Sequence, residues 1–376
     1  MNCHLCNNKL FSDLVLELVG MPKAAQYYPE QAEFSKDLGV TLKIQQCSSC
    51  GLVQHTMKPV DYFKEVITVA TLSEKSRLSR FNQMKNFSKK FSLSGKKVLD
   101  IGTGKGEMAE VINEAGMIGI GLEASPESVK AAKLAGRKIV QGYIGDNKII
   151  DDAPFDAFIS LNYLEHLPQP GRAIQNIYKN TTENAVGFVT VPNFEYLLKT
   201  KSLYEFVPDH ISYFTKNTLR YAFEANGFEV LDCQAINEEN DIAATVKKRK
   251  PLNLTEDYQY VETLIKDFQN IVADCKSKNK KVATWGAGHR TLALLALSKV
   301  KDIEYVVDSA KFKQGKFTPV SHFPIVAPEH LGENKVDLAI VMVPGLYPDE
   351  VIKTLQHLNT GAQIAALRDN KIEFIS

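Results

Sequence analysis

The sequence predicts an α/β protein: a doubly wound parallel sheet, preceded by a small cysteine module and followed by a second, smaller nucleotide-fold domain. Three observations carry this. Short apolar runs alternate with helical stretches through the middle of the chain, the pattern of a parallel sheet covered on both faces. A strand–glycine–helix signature occurs twice, in KKVLDIGTGKGEMAEVINEAG and in NKKVATWGAGHRTLALLAL. Four of the six cysteines form two C-x-x-C pairs before residue 51.

Length and composition bound the answer. At 376 residues the chain suits two to three domains. Its 44% hydrophobic and 24% charged residues exclude a disordered or low-complexity chain. Forty-five basic against 44 acidic residues leave a net charge of +1, which argues against a dedicated nucleic-acid binder. No apolar run approaches the roughly 20 residues that span a bilayer. The opening MNCHLCNNKL lacks the apolar core of a signal peptide. The expectation is a soluble, cytoplasmic protein.

The N-terminal module, expected over residues 1–60, rests on Cys3, Cys6, Cys47 and Cys50. Each C-x-x-C loop presents two thiolates at a spacing suited to tetrahedral zinc, and four cysteines would close the coordination sphere of a structural ion. The intervening 40 residues exceed the usual ribbon spacing, so the pattern is a ribbon with an insertion. The alternative is two disulfides or free thiols, and a reducing compartment disfavours the former. His4 and His55 lie nearby and are not needed as ligands.

The central domain is expected over 61–245. Leu78, Phe81, Met84, Phe87 and Phe91 recur at helical spacing, so SEKSRLSRFNQMKNFSKKF is an amphipathic helix. KKVLDI is a strand, GTGKG a turn and EMAEVINEAG a helix. GMIGIGLEAS is a second strand ending in Glu123. SPESVKAAKLAG is a helix with Ser125 as its N-cap, Pro126 in first position and Gly136 beyond its end. KIVQGYI, FDAFISL and AVGFVTVPNF complete the strands. Ligands of such sheets bind beyond the carboxyl ends of the strands.

The turn reads G-x-G-x-G (Gly102, Gly104, Gly106), not the dinucleotide fingerprint. Glu123, 21 residues beyond Gly102, is placed to accept from both hydroxyls of a ribose. Asp100 would repel a pyrophosphate but suits a cationic amino-acid tail. This favours S-adenosylmethionine over NAD, the alternative ligand. VLDIGTGKGEMAEVI, GLEAS and FDAFISLNYLEHLPQP together resemble the motifs of class I S-adenosylmethionine-dependent methyltransferases. The resemblance implies that Asp100, Gly102 and Gly104 line the methionine half and Glu123 holds the ribose. It also implies that Ile144, next to Tyr143, flanks the adenine, and that Leu161 and Asn162 touch the cofactor.

Two histidines follow the strands at the active end: His166 in NYLEHLPQP and His210 in YEFVPDHISYFT, beside Asp209. Imidazole can take a proton near neutral pH. The plainer readings are that His166 caps its loop and that Asp209 and His210 organise the turn before a helix capped by Thr215. Glu165 reads as structural, and Tyr204, Tyr213 and Phe214 as packing residues.

The C-terminal domain is expected over 246–376, after the KKRK run and Pro251, a solvated linker. A helix is predicted over 256–279. WGAG, then VVDSAKFKQGKFTP with Asp308 ending its strand, give a second nucleotide-fold unit. Either Gly286, Gly288, His289 and Lys313 bind a nucleotide or substrate handle, or the unit only packs.

The whole layout resembles the sugar C-methyltransferases of deoxysugar biosynthesis. The resemblance covers nearly the whole chain and implies a class I methyltransferase sheet with an N-terminal zinc module and a second, C-terminal Rossmann-like domain. Family members methylate a carbon next to a ketone of a nucleotide-linked sugar. Cys3, Cys6, Cys47 and Cys50 match the family's zinc ligands, and His166 falls where it has a second active-site histidine. The family's Tyr-x-Glu-His motif is Val207-Pro208-Asp209-His210 here: the histidine matches, the acid is shortened, the tyrosine is lost. The resemblance therefore implies His210 as base, assisted by Asp209 and His166. O- or N-methylation of a saccharide and a non-catalytic nucleotide-binding assembly protein are the competing readings.

Overall fold

The computed structural model describes residues 2–25, 28–64 and 73–375. They divide into two compact units, Met1–Lys250 and Pro251–Ser376. Among the described residues no helix is long and apolar enough to cross a membrane.

The first unit begins with β1 (Leu16–Met21), β2 (Val40–Gln46) and β3 (Val53–His55), an antiparallel set beside the cysteine pairs. Then come α1 (Glu74–Phe91), β4 (Lys97–Ile101), α2 (Glu107–Glu114), β5 (Ile118–Glu123), α3 (Pro126–Leu134) and β6 (Ile139–Gln141). After them lie β7 (Phe155–Leu161), α4 (Pro170–Lys179), β8 (Thr181–Pro192), α5 (Phe194–Thr200), β9 (Ser212–Tyr213), α6 (Lys216–Glu224), β10 (Phe228–Ile236) and β11 (Asp241–Lys248). The main sheet has the order β10-β11-β8-β7-β4-β5-β6. The chain runs outward from β4 through β5 to β6, then returns to the other side of β4 for β7 and β8. That reversal opens a crevice at the carboxyl ends of β4 and β7, where open α/β sheets hold their ligands.

Local chemistry explains the elements. Ser125 accepts from the Ser128 N–H, and Pro126 supplies a pre-set φ at the first helical position of α3. Gly136 follows at φ +75°. Thr215 and Thr218 form a reciprocal capping box at the start of α6. The core strands are apolar along nearly their whole length, as parallel strands buried on both faces should be. Two features differ from the sequence reading. Leu78 is 62% exposed, because α1 packs only through its later turns, Met84 and Phe87. Tyr204, read as a packing residue, is 75% exposed, whereas Tyr213 and Phe214 are buried.

The second unit holds α7 (Thr255–Ser277), β12 (Val282–Trp285), α8 (His289–Ser298), β13 (Tyr305–Val307), β14 (Ile325–Val326), α9 (His330–Glu333), β15 (Leu338–Val341), α10 (Tyr347–His357), β16 (Gln363–Arg368) and β17 (Lys371–Ile375). Its sheet order is β14-β13-β12-β15-β16-β17, parallel except for β17. Asp308, after β13, accepts from the Ala287 and Ala310 N–H groups at 2.7 and 2.8 Å and from Lys313 Nζ at 2.9 Å. It thus ties down the glycine turn after β12, and its carboxyl is held below the usual range despite burial. His289 is exposed at the start of α8.

Candidate active site

The glycine turn after β4 is shaped by two buried carboxylates. Glu123, 1% exposed, accepts from Gly104 N–H at 2.9 Å and Ser125 N–H at 2.8 Å, one on each oxygen. Asp100, next to last in β4, accepts from the Thr103 hydroxyl. Burial pushes its carboxyl up to about 6. Gly102 sits at φ +70°, and a Cβ there would lie 2.6 Å from the Tyr163 ring. Only glycine lets the chain pass between that ring and the crevice. The donor set fits a ligand with a cation near Asp100 and hydroxyls near Glu123.

The other predicted contacts lie after β6 and at the end of β7. Ile144 is buried and its carbonyl accepts from Asn176 Nδ2 at 2.9 Å. A cavity of about 280 Å³ lined by Leu122, Tyr143, Ile150 and Asn176 adjoins it. Leu161 ends β7. Asn162 follows in the left-handed region at φ +47°, donates to Asp241 at 3.1 Å and accepts from the Thr190 hydroxyl. These bonds fix its amide in one orientation.

The histidines meet. His166 and His210 have ring centroids 4.8 Å apart at 71°. His166 Nδ1 lies 2.7 Å from the Asp209 main-chain carbonyl, so Nδ1 carries the proton and Nε2 presents a lone pair. Burial depresses both imidazoles, that of His210 to about 3, with His166 and His55 adding to the effect. Both are neutral at ordinary pH. Asp209 is 2% exposed, and its carboxylate is not turned to either ring. It accepts from Tyr62 OH at 2.6 Å and from Ala25 N–H at 2.7 Å. Its role in the geometry is to tie the N-terminal segments to the histidine loop.

Glu165 stands beside the pair. It is 1% exposed, with Oε1 3.8 Å from His166 Nε2, and among the described residues neither oxygen has a hydrogen-bond partner. Burial pushes its carboxyl up to about 8. Sequence reading treated it as structural, and nothing in NYLEHL distinguishes the two. His55 and Tyr62 were missed as well. His55 Nε2 donates to the Pro208 carbonyl at 2.8 Å, and its Nδ1 accepts from Met57 N–H at 3.2 Å. The loop 207–213 is held by β9, which pairs with β3, and by Ile211 N–H donating to the Glu165 carbonyl at 2.8 Å. Tyr213 OH brackets Val207 from both sides, accepting from its N–H and donating to its carbonyl.

The four N-terminal cysteines converge. Cys3 and Cys50 sulfurs are 3.6 Å apart, Cys6 and Cys47 sulfurs 3.5 Å, and all four lie within 4.8 Å of one another. No disulfide joins them. Sulfurs 2.3 Å from a tetrahedral centre would be about 3.8 Å apart. The set fits a zinc ion with small adjustments. The Cys3 thiol is pushed down to about 5 by the Cys50 thiol beside it, which is itself driven up.

Comparison with known proteins adds five findings. A methyltransferase-domain family matches residues 76–232, and a C-methyltransferase C-terminal-domain family matches residues 234–366. The C-methyltransferase NovU of Streptomyces niveus is 20% identical over 96% of this chain and 94% of its own. The ubiquinone biosynthesis O-methyltransferase of Xylella fastidiosa is 37% identical over 95 residues, 23% of this chain and 38% of its own. The crystal structure of a magnesium protoporphyrin IX methyltransferase from Synechocystis superposes with a TM-score of 0.40, at 13% identity, over 50% of this chain and 97% of that one.

Proposed function

We propose, for a chain that is an S-adenosylmethionine-dependent methyltransferase carrying a methyltransferase domain and a C-methyltransferase C-terminal domain, that its acceptor is a carbon beside the ketone of a sugar, carried on a nucleotide. The observation that carries the reading is the half-buried His166–His210 pair, 4.8 Å apart. S-adenosylmethionine supplies an electrophilic methyl group, so the protein must align the acceptor and remove its proton.

His210 is the base. Its imidazole is unprotonated at neutral pH, which is the state a proton acceptor requires. His166, held in one tautomer by the Asp209 carbonyl, orients the acceptor or shares the proton. Asp209 positions the loop through Tyr62 and Ala25. Asp100, Gly102 and Gly104 hold the methionine half of the cofactor, Glu123 its ribose, Ile144 its adenine, and Leu161 and Asn162 the remaining edge. The cofactor's ammonium would keep Asp100 ionised against its burial. Cys3, Cys6, Cys47 and Cys50 hold a structural zinc ion.

Incubation with labelled S-adenosylmethionine and a panel of nucleotide sugars, with and without a keto group, tests the reading by product NMR. Label on the carbon next to the ketone supports it; label on oxygen replaces it with O-methylation. Glu123→Ala is expected to weaken cofactor binding about 10- to 100-fold in calorimetry, since charged hydrogen bonds contribute ~1.5–3 kcal/mol. It also unties the Gly104 turn. Unchanged affinity would remove Glu123 from the cofactor site.

A further inference from the structure

We propose that Glu165, His166 and His210 form a second metal site, for a divalent transition ion of the zinc, cobalt or nickel type. Its consequence, which rests on the His210 reading above, is that the bound ion silences methyl transfer by taking the His210 lone pair.

The three side chains offer ligand atoms that all lie within 4.8 Å of one another. Glu165 carries the argument. A buried carboxyl is normally satisfied by hydrogen bonds, and among the described residues both oxygens of Glu165 lack a hydrogen-bond partner. Its Oε1 lies 3.8 Å from His166 Nε2, which presents a lone pair and not a proton. With its carboxyl raised by burial, Glu165 gives up its proton to an ion that also takes the His166 lone pair. The carbonyl of Asp209 on His166 Nδ1 is the second-shell contact that metal-bound histidines use to fix their tautomer.

The donor set selects the ion. Two imidazoles and one carboxylate suit borderline transition metals, whereas magnesium and calcium demand oxygen ligands. Metal–ligand distances near 2.0–2.2 Å place tetrahedral donors about 3.4 Å apart, so atoms that lie within 4.8 Å of one another need close by no more than about 1.4 Å. Three protein ligands leave a position open, unlike the closed set of four cysteines.

The test uses the full-length protein with its cysteine site loaded. Cobalt(II) is titrated while visible absorption, bound metal by equilibrium dialysis, and methyl transfer are followed together. The expected result is one further cobalt ion with a nitrogen/oxygen-ligand spectrum, with turnover falling as it binds and returning after dialysis. Glu165→Gln and His166→Gln should each weaken that ion at least tenfold while the cysteine-bound metal and the circular dichroism spectrum stay unchanged. Glu165→Asp, which keeps the carboxylate, serves should the glutamine variant misfold. No further ion in the wild type, or affinity unchanged in both glutamine variants, overturns the site. A bound ion that leaves turnover unchanged or raises it overturns the silencing. A wild type that binds no further ion yet turns over in a His210-dependent way sinks the metal site alone. A wild type that binds the ion while His210→Gln keeps full turnover sinks the base assignment alone.

Discussion

Replacing His210 by Gln should cut turnover by 10²- to 10⁴-fold, a barrier increase of ~3–5 kcal/mol, while cofactor affinity stays unchanged. Glutamine fills similar space but cannot accept and carry a proton. The proposed cofactor contacts rest on β4 and β5, whereas His210, the proposed base, sits on the loop before β9, so binding and chemistry should separate. The pH dependence follows from burial. A pKa lowered to about 3 means the neutral, competent form persists at all pH above that value. With S-adenosylmethionine saturating, so that Asp100 stays ionised, kcat/KM for the acceptor should therefore show no acid limb in the ordinary histidine range near pH 6.5. Burial also penalises the imidazolium that proton removal creates. The enolate formed beside it is the compensating charge, so proton transfer becomes favourable only with acceptor bound. A limb near 6.5, or a His210→Gln variant within threefold of wild type, would move the base elsewhere.

The core of this arrangement is legible in the sequence because its signals are local. Apolar runs, glycine turns and caps such as Ser125–Pro126 are each settled within a few residues. Asp100 and Glu123 were readable because each lies at the end of a recognisable strand. The reversed strand β11 was not, since an antiparallel hairpin at a sheet edge carries no crossover helix to announce it. The module's β1 and β2 were missed for the same reason. Tyr62 and His55 reach Asp209 and Pro208 across 147 and 153 residues, a juxtaposition that no spacing rule encodes. The absent motif tyrosine, Val207 here, illustrates the limit. Sequence reading recorded a lost hydroxyl, but the fold brings two tyrosines to that loop, Tyr213 onto Val207 and Tyr62 onto Asp209.

That long-range wiring predicts what the cysteine site is for. Cys47→Ser, or removal of zinc by a strong chelator, should lower turnover at least tenfold while S-adenosylmethionine still binds. The N-terminal strands have little apolar surface of their own. Leu42, Ile44 and Val53 pack with Phe194, Leu197, Phe206 and Tyr213, and Cys3 and Cys47 join the main core with Leu5 and Leu52. In small zinc modules the ion contributes on the order of 10 kcal/mol to folding, so its loss should free β2 and β3. β3 is the neighbour of β9, and His55 at its end holds the Pro208 carbonyl. Ala25, from the same module, holds the Asp209 carboxylate. Once these are released, loop 207–213 loses the restraints that set His210 against His166. Asp100, Gly104 and Glu123 keep theirs, because their bonds run within the β4–β5 end of the sheet. Hydrogen exchange should accordingly quicken at residues 42–55 and 207–213 and stay slow along β4 and β5. Elemental analysis of the wild type must find zinc for this to hold. A protein that is metal-free, folded and fully active with reduced thiols would assign the four cysteines to packing alone.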